Sequence, residues 1–219
     1  MADVRDMYMA HTMLRREFRL LPRLVRDVAP GDVERAGTVG AHAEQVCFLL
    51  HLHHEGEDLL LWPRLVERGG DRATAIVPTM EEQHAAIEET YEEVTGLLPR
   101  WRATAEHGGR LATALDRLLS ALLEHLALEE KEVLPLAEQY VTAAEWRQLG
   151  EHGMARTPQE VLPLSLGMAM YEADPEVVEA LLAELPEAHR SALTDAAGRA
   201  YAAHAERVYG TGTPPRIGD

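Results

Sequence analysis

Residues 51–63 read "HLHHEGEDLLLWP", three histidines and three acids set directly against an apolar run closed by proline. The stretch has a partner further along the chain. From His53 the sequence runs H-H-E-G-E-D-L-L-L-W-P to Pro63, and from His125 it runs H-L-A-L-E-E-K-E-V-L-P to Pro135. Both carry His, Glu four positions on, a second acid, an apolar pair, and Pro ten positions after the His. His53 and His125 are 72 positions apart, and two lone histidines, His11 and His84, are 73 apart. The first 140 residues therefore read as a helix pair used twice, each pair with one lone His and one H-x-x-x-E.

The repeat sets the register. His53–Glu57 and His54–Asp58 share a spacing, but only the first matches the second repeat in its distance to proline; His125 likewise selects Glu129 over Glu130. Residues four apart on an α-helix lie roughly 40° apart around the axis and about 6 Å apart along it, so an imidazole and a carboxylate reach one site. Two such helices, faced by His11 and His84, converge four imidazoles and two carboxylates in a bundle interior. Buried carboxylates are costly unless paired, and a pair of divalent cations bridged by Glu57 and Glu129 removes that cost. Imidazole and carboxylate donors without thiolate suit iron, with manganese or zinc less favoured. A ferritin-like site, which uses E-x-x-H at a spacing of three, is disfavoured by the reversed order and the spacing of four.

Composition frames this reading. The chain has 219 residues, 46% apolar and 26% charged, with aromatics at 5%. Such a chain can bury a sizeable core, and scarce aromatics with abundant Ala, Leu and Glu favour helices. The formal charge of −16 argues against nucleic acid and against an anionic membrane surface, since both need a basic face. A single cysteine, Cys47, permits no intramolecular disulfide. With no signal core at the N-terminus and no window resembling a membrane span, the expectation is a cytoplasmic protein.

Helical periodicity dominates. The expected order is a helix over 4–28 kinked at Pro22, and a second capped by Asp32 and bent at Pro63. A third opens on Thr79 and Glu82 as a capping box, although a start before Pro78 is open, and a fourth spans 111–140. Thr142 and Glu145 form a capping box for a shorter helix, "ADPE" at 173–176 opens another, and "TGTPPRIGD" reads as a frayed tail. The fold expectation is all-α: an antiparallel up-down four-helix bundle over 1–140, with a C-terminal helical extension over 141–219 packed on it.

At these residues the chain resembles the hemerythrin-like, or HHE cation-binding, family, whose hallmark is H … HxxxE … H … HxxxE across four helices. The match is His11, His53/Glu57, His84 and His125/Glu129, over roughly 1–140. The resemblance implies a non-haem di-iron centre that binds O2 or reacts with peroxide or nitric oxide. In oxygen-carrying members another His lies one turn before the third-helix ligand; here that position is Met80, which speaks against simple reversible O2 carriage. Two carboxylates offset only half the charge of two ferrous ions, and Glu81 and Glu88, flanking His84, are the protein candidates to complete the shell.

The other polar residues read as bystanders. His51 and His54 are taken as non-ligands, His42 as a surface histidine with support of the site from the face of His53 as the alternative, Asp58 and Glu130 as facing solvent or capping a neighbour, and Cys47 as packing. The functional expectation is a redox or protective protein of the oxidoreductase type, with catalase-like peroxide or nitric oxide chemistry. The alternatives are a module sensing O2 or iron, and a di-iron oxidase or oxygenase of a small organic substrate.

Overall fold

The computed structural model describes residues 1–183 and 185–217. Among them every regular element is helical: α1 Arg5–Arg26, α2 Val33–Gly56, α3 Trp62–Arg68, α4 Gly70–Thr104, α5 Gly108–Leu128, α6 Leu134–Tyr140, α7 Ala143–Arg156, α8 Leu162–Met170, α9 Pro175–Leu181 and α10 Glu187–Tyr209. No helix among these residues is long and apolar enough to cross a membrane.

The chain divides into two compact units. One comprises Met1–Val4 and Glu17–Gly153, the other Arg5–Arg16 and Met154–Asp219. The division differs from the expected boundary after residue 140: the first unit keeps most of α7, and the start of α1 belongs with the C-terminal helices. In the first unit α4 packs against α2 and α5, and α3 packs against α6. Its core includes Phe18, Leu21, Val46, Leu50, Leu61, Trp62, Met80, Leu118 and Leu122, all essentially closed to solvent.

Two features of this unit bear directly on the site. Between α2 and α3, and again between α5 and α6, the helix widens into one π-helical turn, Glu57–Leu61 and Glu129–Val133. The cause is proline. Pro63 and Pro135 have no N–H and their rings crowd the preceding turn, and the residue just before each takes the longer hydrogen bond. Trp62 N–H donates to the Glu57 carbonyl and Leu134 N–H to the Glu129 carbonyl. Each π turn therefore begins at the glutamate of an H-x-x-x-E, and such turns concentrate at functional sites.

The caps follow the sequence closely. Asp32 Oδ1 accepts from Arg35 N at 3.0 Å. Thr142 and Glu145 form the reciprocal box: Thr142 N–H donates to Glu145 Oε2 at 3.0 Å and Glu145 N–H to Thr142 Oγ1 at 3.2 Å. Thr79 and Glu82 form no helix start, because α4 begins at Gly70 and runs through Pro78 and Pro99. Pro78 N has no hydrogen to lose, and propensity yields to the long packed helix. Likewise Pro22 lies inside α1 without ending it.

In the second unit α8 and α10 pack so closely that a Cβ built on Gly167 would fall 2.1 Å from the Ala197 carbonyl oxygen. The buried Arg16 guanidinium holds Glu172 Oε2 at 2.9 Å and the Met168 carbonyl at 2.7 Å, and it lies over the rings of Tyr171 and Tyr201. Burial of an arginine is tolerated only with such partners. The tail is not frayed through residue 217. Tyr171 Oη donates to the Pro214 carbonyl at 2.8 Å, and Ile217 N–H donates to Glu172 Oε1 at 2.7 Å.

Candidate metal centre

The repeated H-x-x-x-E folds as its spacing demands. On α2 and the π turn that follows, His53 Nε2 stands 3.2 Å from Glu57 Oε1; on α5 and its π turn, His125 Nε2 stands 3.7 Å from Glu129 Oε2. Glu57, Glu129 and His125 are wholly buried. From α4, His84 Nε2 comes within 3.4 Å of Glu57 Oε2 and 3.2 Å of His125 Nε2. Two imidazole nitrogens facing each other at that distance are spaced as neighbouring ligands of one cation, since metal–nitrogen bonds of about 2.1 Å at a right angle put the nitrogens about 3 Å apart.

One group of potential ligand atoms joins His54, Glu57, His84 and His125, all within 4.8 Å of one another; within the same unit His53, Glu57 and Glu129 meet by the same measure. Glu57 belongs to both. The oxygens of Glu57 and Glu129 are closed to water, and two carboxylates this near one another, with imidazoles turned towards them, form a donor set that fits a divalent cation.

His84 shows the charge balance most clearly. Burial opposes its protonation, but the Asp58 and Glu57 carboxylates outweigh that and push its pKa up to about 9. Burial tends to raise the Asp58 pKa as well, yet hydrogen bonds from His84 and Trp62 and the His84 charge hold it below the usual carboxylate value.

Several expected roles change. His54, read as a bystander, is buried, and its ring stacks on His84 at 4.1 Å between centroids. A signal for it was present: His54 and Glu57 are three apart, the other spacing that shares a helix face. The repeat hid it, because position 126 is Leu. Asp58 stays half exposed but turns one oxygen to His84. Glu81 and Glu88, proposed to complete the shell, are exposed and join neither group; Glu88 faces His51, which is exposed and stacks on Tyr91. His42 is fully buried beside Glu17, 3.2 Å away, and is not a surface residue. Cys47 is buried, as packing requires. His11 is fully buried on α1, in the segment that clusters with the second unit. The concavity lined by Met170, Val178, Leu182, Arg190 and Thr194, about 450 Å³, contains none of the candidate ligands.

With the donor groups in view, comparison with known families is decisive. The family model of the hemerythrin HHE cation-binding domain matches residues 2–137. The chain belongs to that family. No curated protein and no solved structure gives a match. The matched span contains the six family-type residues His11, His53, Glu57, His84, His125 and Glu129, and His54 as well.

Proposed function

We propose that this protein is a non-haem di-iron protein that binds and reduces a small oxidant such as O2, peroxide or nitric oxide. The observation that carries the reading is Glu57, a buried carboxylate common to two groups of imidazole and carboxylate donors. In this reading His54, His84 and His125 hold one metal and His53 and Glu129 the other, while His11 remains the ligand that the family motif implies. Glu57 would hold both, since its Oε2 lies 3.4 Å from His84 Nε2 in one group and its Oε1 3.2 Å from His53 Nε2 in the other. The helices bearing them form an antiparallel four-helix bundle, and residues beyond it form a C-terminal extension.

Ferrous ions held by these residues would supply the electrons for reduction of the oxidant, and an external reductant would restore them. The chain's own residues do the remainder. Glu57 and Glu129 neutralise positive charge in a place closed to water, and His84 and His125 present their Nε2 atoms to the same point. Met80, fully buried one turn before His84, offers a thioether where an oxygen carrier has an imidazole, which speaks against simple reversible O2 carriage. Iron suits this nitrogen and oxygen donor set, and unlike zinc it changes oxidation state, as the proposed reduction requires.

The reaction is tested by adding peroxide to the iron-loaded protein under an oxygen electrode, with nitric oxide consumption measured in parallel. Rapid O2 evolution or nitric oxide loss, abolished in Glu57→Ala, is the expected result. A stable, reversible oxygenated spectrum without turnover would replace reduction with binding.

A further inference from the structure

His84 is gripped from both sides by adjacent residues of one π turn. Glu57 Oε2 approaches its Nε2, and the Nδ1–H donates to Asp58 Oδ1 at 2.7 Å. Trp62, on the first turn of α3, donates its indole N–H to the same Asp58 oxygen at 2.8 Å, and its ring is buried 5.7 Å from that of His84. Asp58 thus has one face towards solvent and one oxygen fixed by two donors.

We propose that Asp58, clamped by Trp62, is a positioning residue for the metal centre: it fixes the His84 ring with Nδ1 protonated and Nε2 turned to the metal. The proposal rests on the di-metal reading and adds to it a residue outside the ligand set. Three observations converge on it. An imidazole bonded to a carboxylate through one nitrogen is held in one tautomer and one orientation, and is a stronger donor through the other. The neighbouring ring is held differently, for His125 Nδ1–H donates to the neutral Gln83 Oε1 at the longer distance of 3.2 Å. The two imidazoles are therefore unequal donors. Finally, the sequence repeat departs at the clamp. Where the first half has Asp58 and Trp62, the second has Glu130 and Leu134, and leucine has no side-chain N–H to hold an acid in place.

The experiment compares wild type with Asp58→Ala, Asp58→Asn and Trp62→Phe. Asp58 is half exposed, so its two substitutions leave the core intact; Trp62→Phe trims a buried core ring, and matching far-UV circular dichroism verifies the fold of each variant. Anaerobic titration with ferrous iron reads the first effect. Asp58→Ala is expected to weaken one of two binding steps about 10–100-fold, the usual loss on removing an outer partner of a histidine ligand. Asp58→Asn should fall between, since its amide oxygen still accepts but carries no charge, and Trp62→Phe should show a smaller loss in the same step.

A second readout needs no metal. In protein labelled with nitrogen-15 at histidine, the wild type should show a downfield, exchange-protected His84 Nδ1–H signal that Asp58→Ala loses. Wild-type iron affinity in both steps for Asp58→Ala, or the signal persisting in that variant, would overturn the proposal. A wild type that binds no iron but shows the signal would overturn the di-metal reading while leaving the Asp58–His84 bond established.

Discussion

Removing the metal should cost the first unit much of its thermal stability, and the size of the loss can be worked out. The ligands proposed within that unit come from α2, its π turn, α4, and α5 with its π turn, so bound ions tie together helices that otherwise meet mainly through side-chain packing. Without a cation, Glu57 and Glu129 present ligand oxygens within 4.8 Å of each other, a repulsion of about 3.5 kcal/mol at an effective dielectric of about 20 if both are ionised. The imidazolium of His84 offsets part of that, so the net gain is better taken from linkage. Each ion present at roughly a hundredfold excess over its dissociation constant contributes about 2.7 kcal/mol, or about 5 kcal/mol for two. With roughly 2–4 °C of melting temperature per kcal/mol for a domain of this size, chelation should lower the transition by about 10–20 °C. Differential scanning calorimetry of the iron-loaded protein, before and after anaerobic removal with a strong chelator, measures it. Glu57→Ala, which deletes the donor common to both groups, should melt at one temperature with or without iron. Superimposed transitions for loaded and stripped wild type would refute the reasoning.

Other outcomes follow from individual side chains. His54→Ala should lower the iron content by about one equivalent while His51→Ala leaves it unchanged, because His54 sits among the donors and His51 stacks on Tyr91 at the surface; inductively coupled plasma analysis distinguishes them. Burial, helped by Glu44, pushes the Cys47 thiol up to about 12, so a thiol reagent at neutral pH should label native protein far more slowly than denatured protein. Hydrogen bonds from Arg68 and from Thr142 pull the Glu145 carboxyl down to about 2. Its folded pKa thus lies below its unfolded value near 4.5, so its stabilisation of α7 is fully present above that value and is lost as pH falls towards 2. Urea unfolding across this range should show a steeper acid decline for wild type than for Glu145→Gln.

Much of this architecture was legible because proline and the H-x-x-x-E spacing act locally. The ten-residue interval from His53 to Pro63, repeated from His125 to Pro135, marked the register that the structure shows as a π turn beginning at each glutamate. Capping at Asp32, Thr142 and Asp174 was equally readable, since a side chain that accepts from the backbone two or three residues on needs no tertiary partner. What escaped depends on neighbours far along the chain. His54 was discarded by a repeat that is imperfect at Leu126, and its burial comes from α4 and α5 rather than from its own helix. Asp58 looked like a surface acid until His84, 26 residues away, met it. His42 and Glu17, on different helices, pair in the core with no local pattern to announce it. Glu81 and Glu88 lie outside both donor groups for the converse reason: helical spacing puts them near His84 in sequence, but α4 turns both outwards.

The central claim is that Glu57 is shared by two metals. Metal analysis with an absorption spectrum in air, on wild type and Glu57→Ala prepared side by side, tests it most directly. The account predicts about two iron ions per chain with near-ultraviolet charge-transfer absorption in wild type, and loss of both in Glu57→Ala. Equal metal content in the two preparations, or none in either, would contradict it.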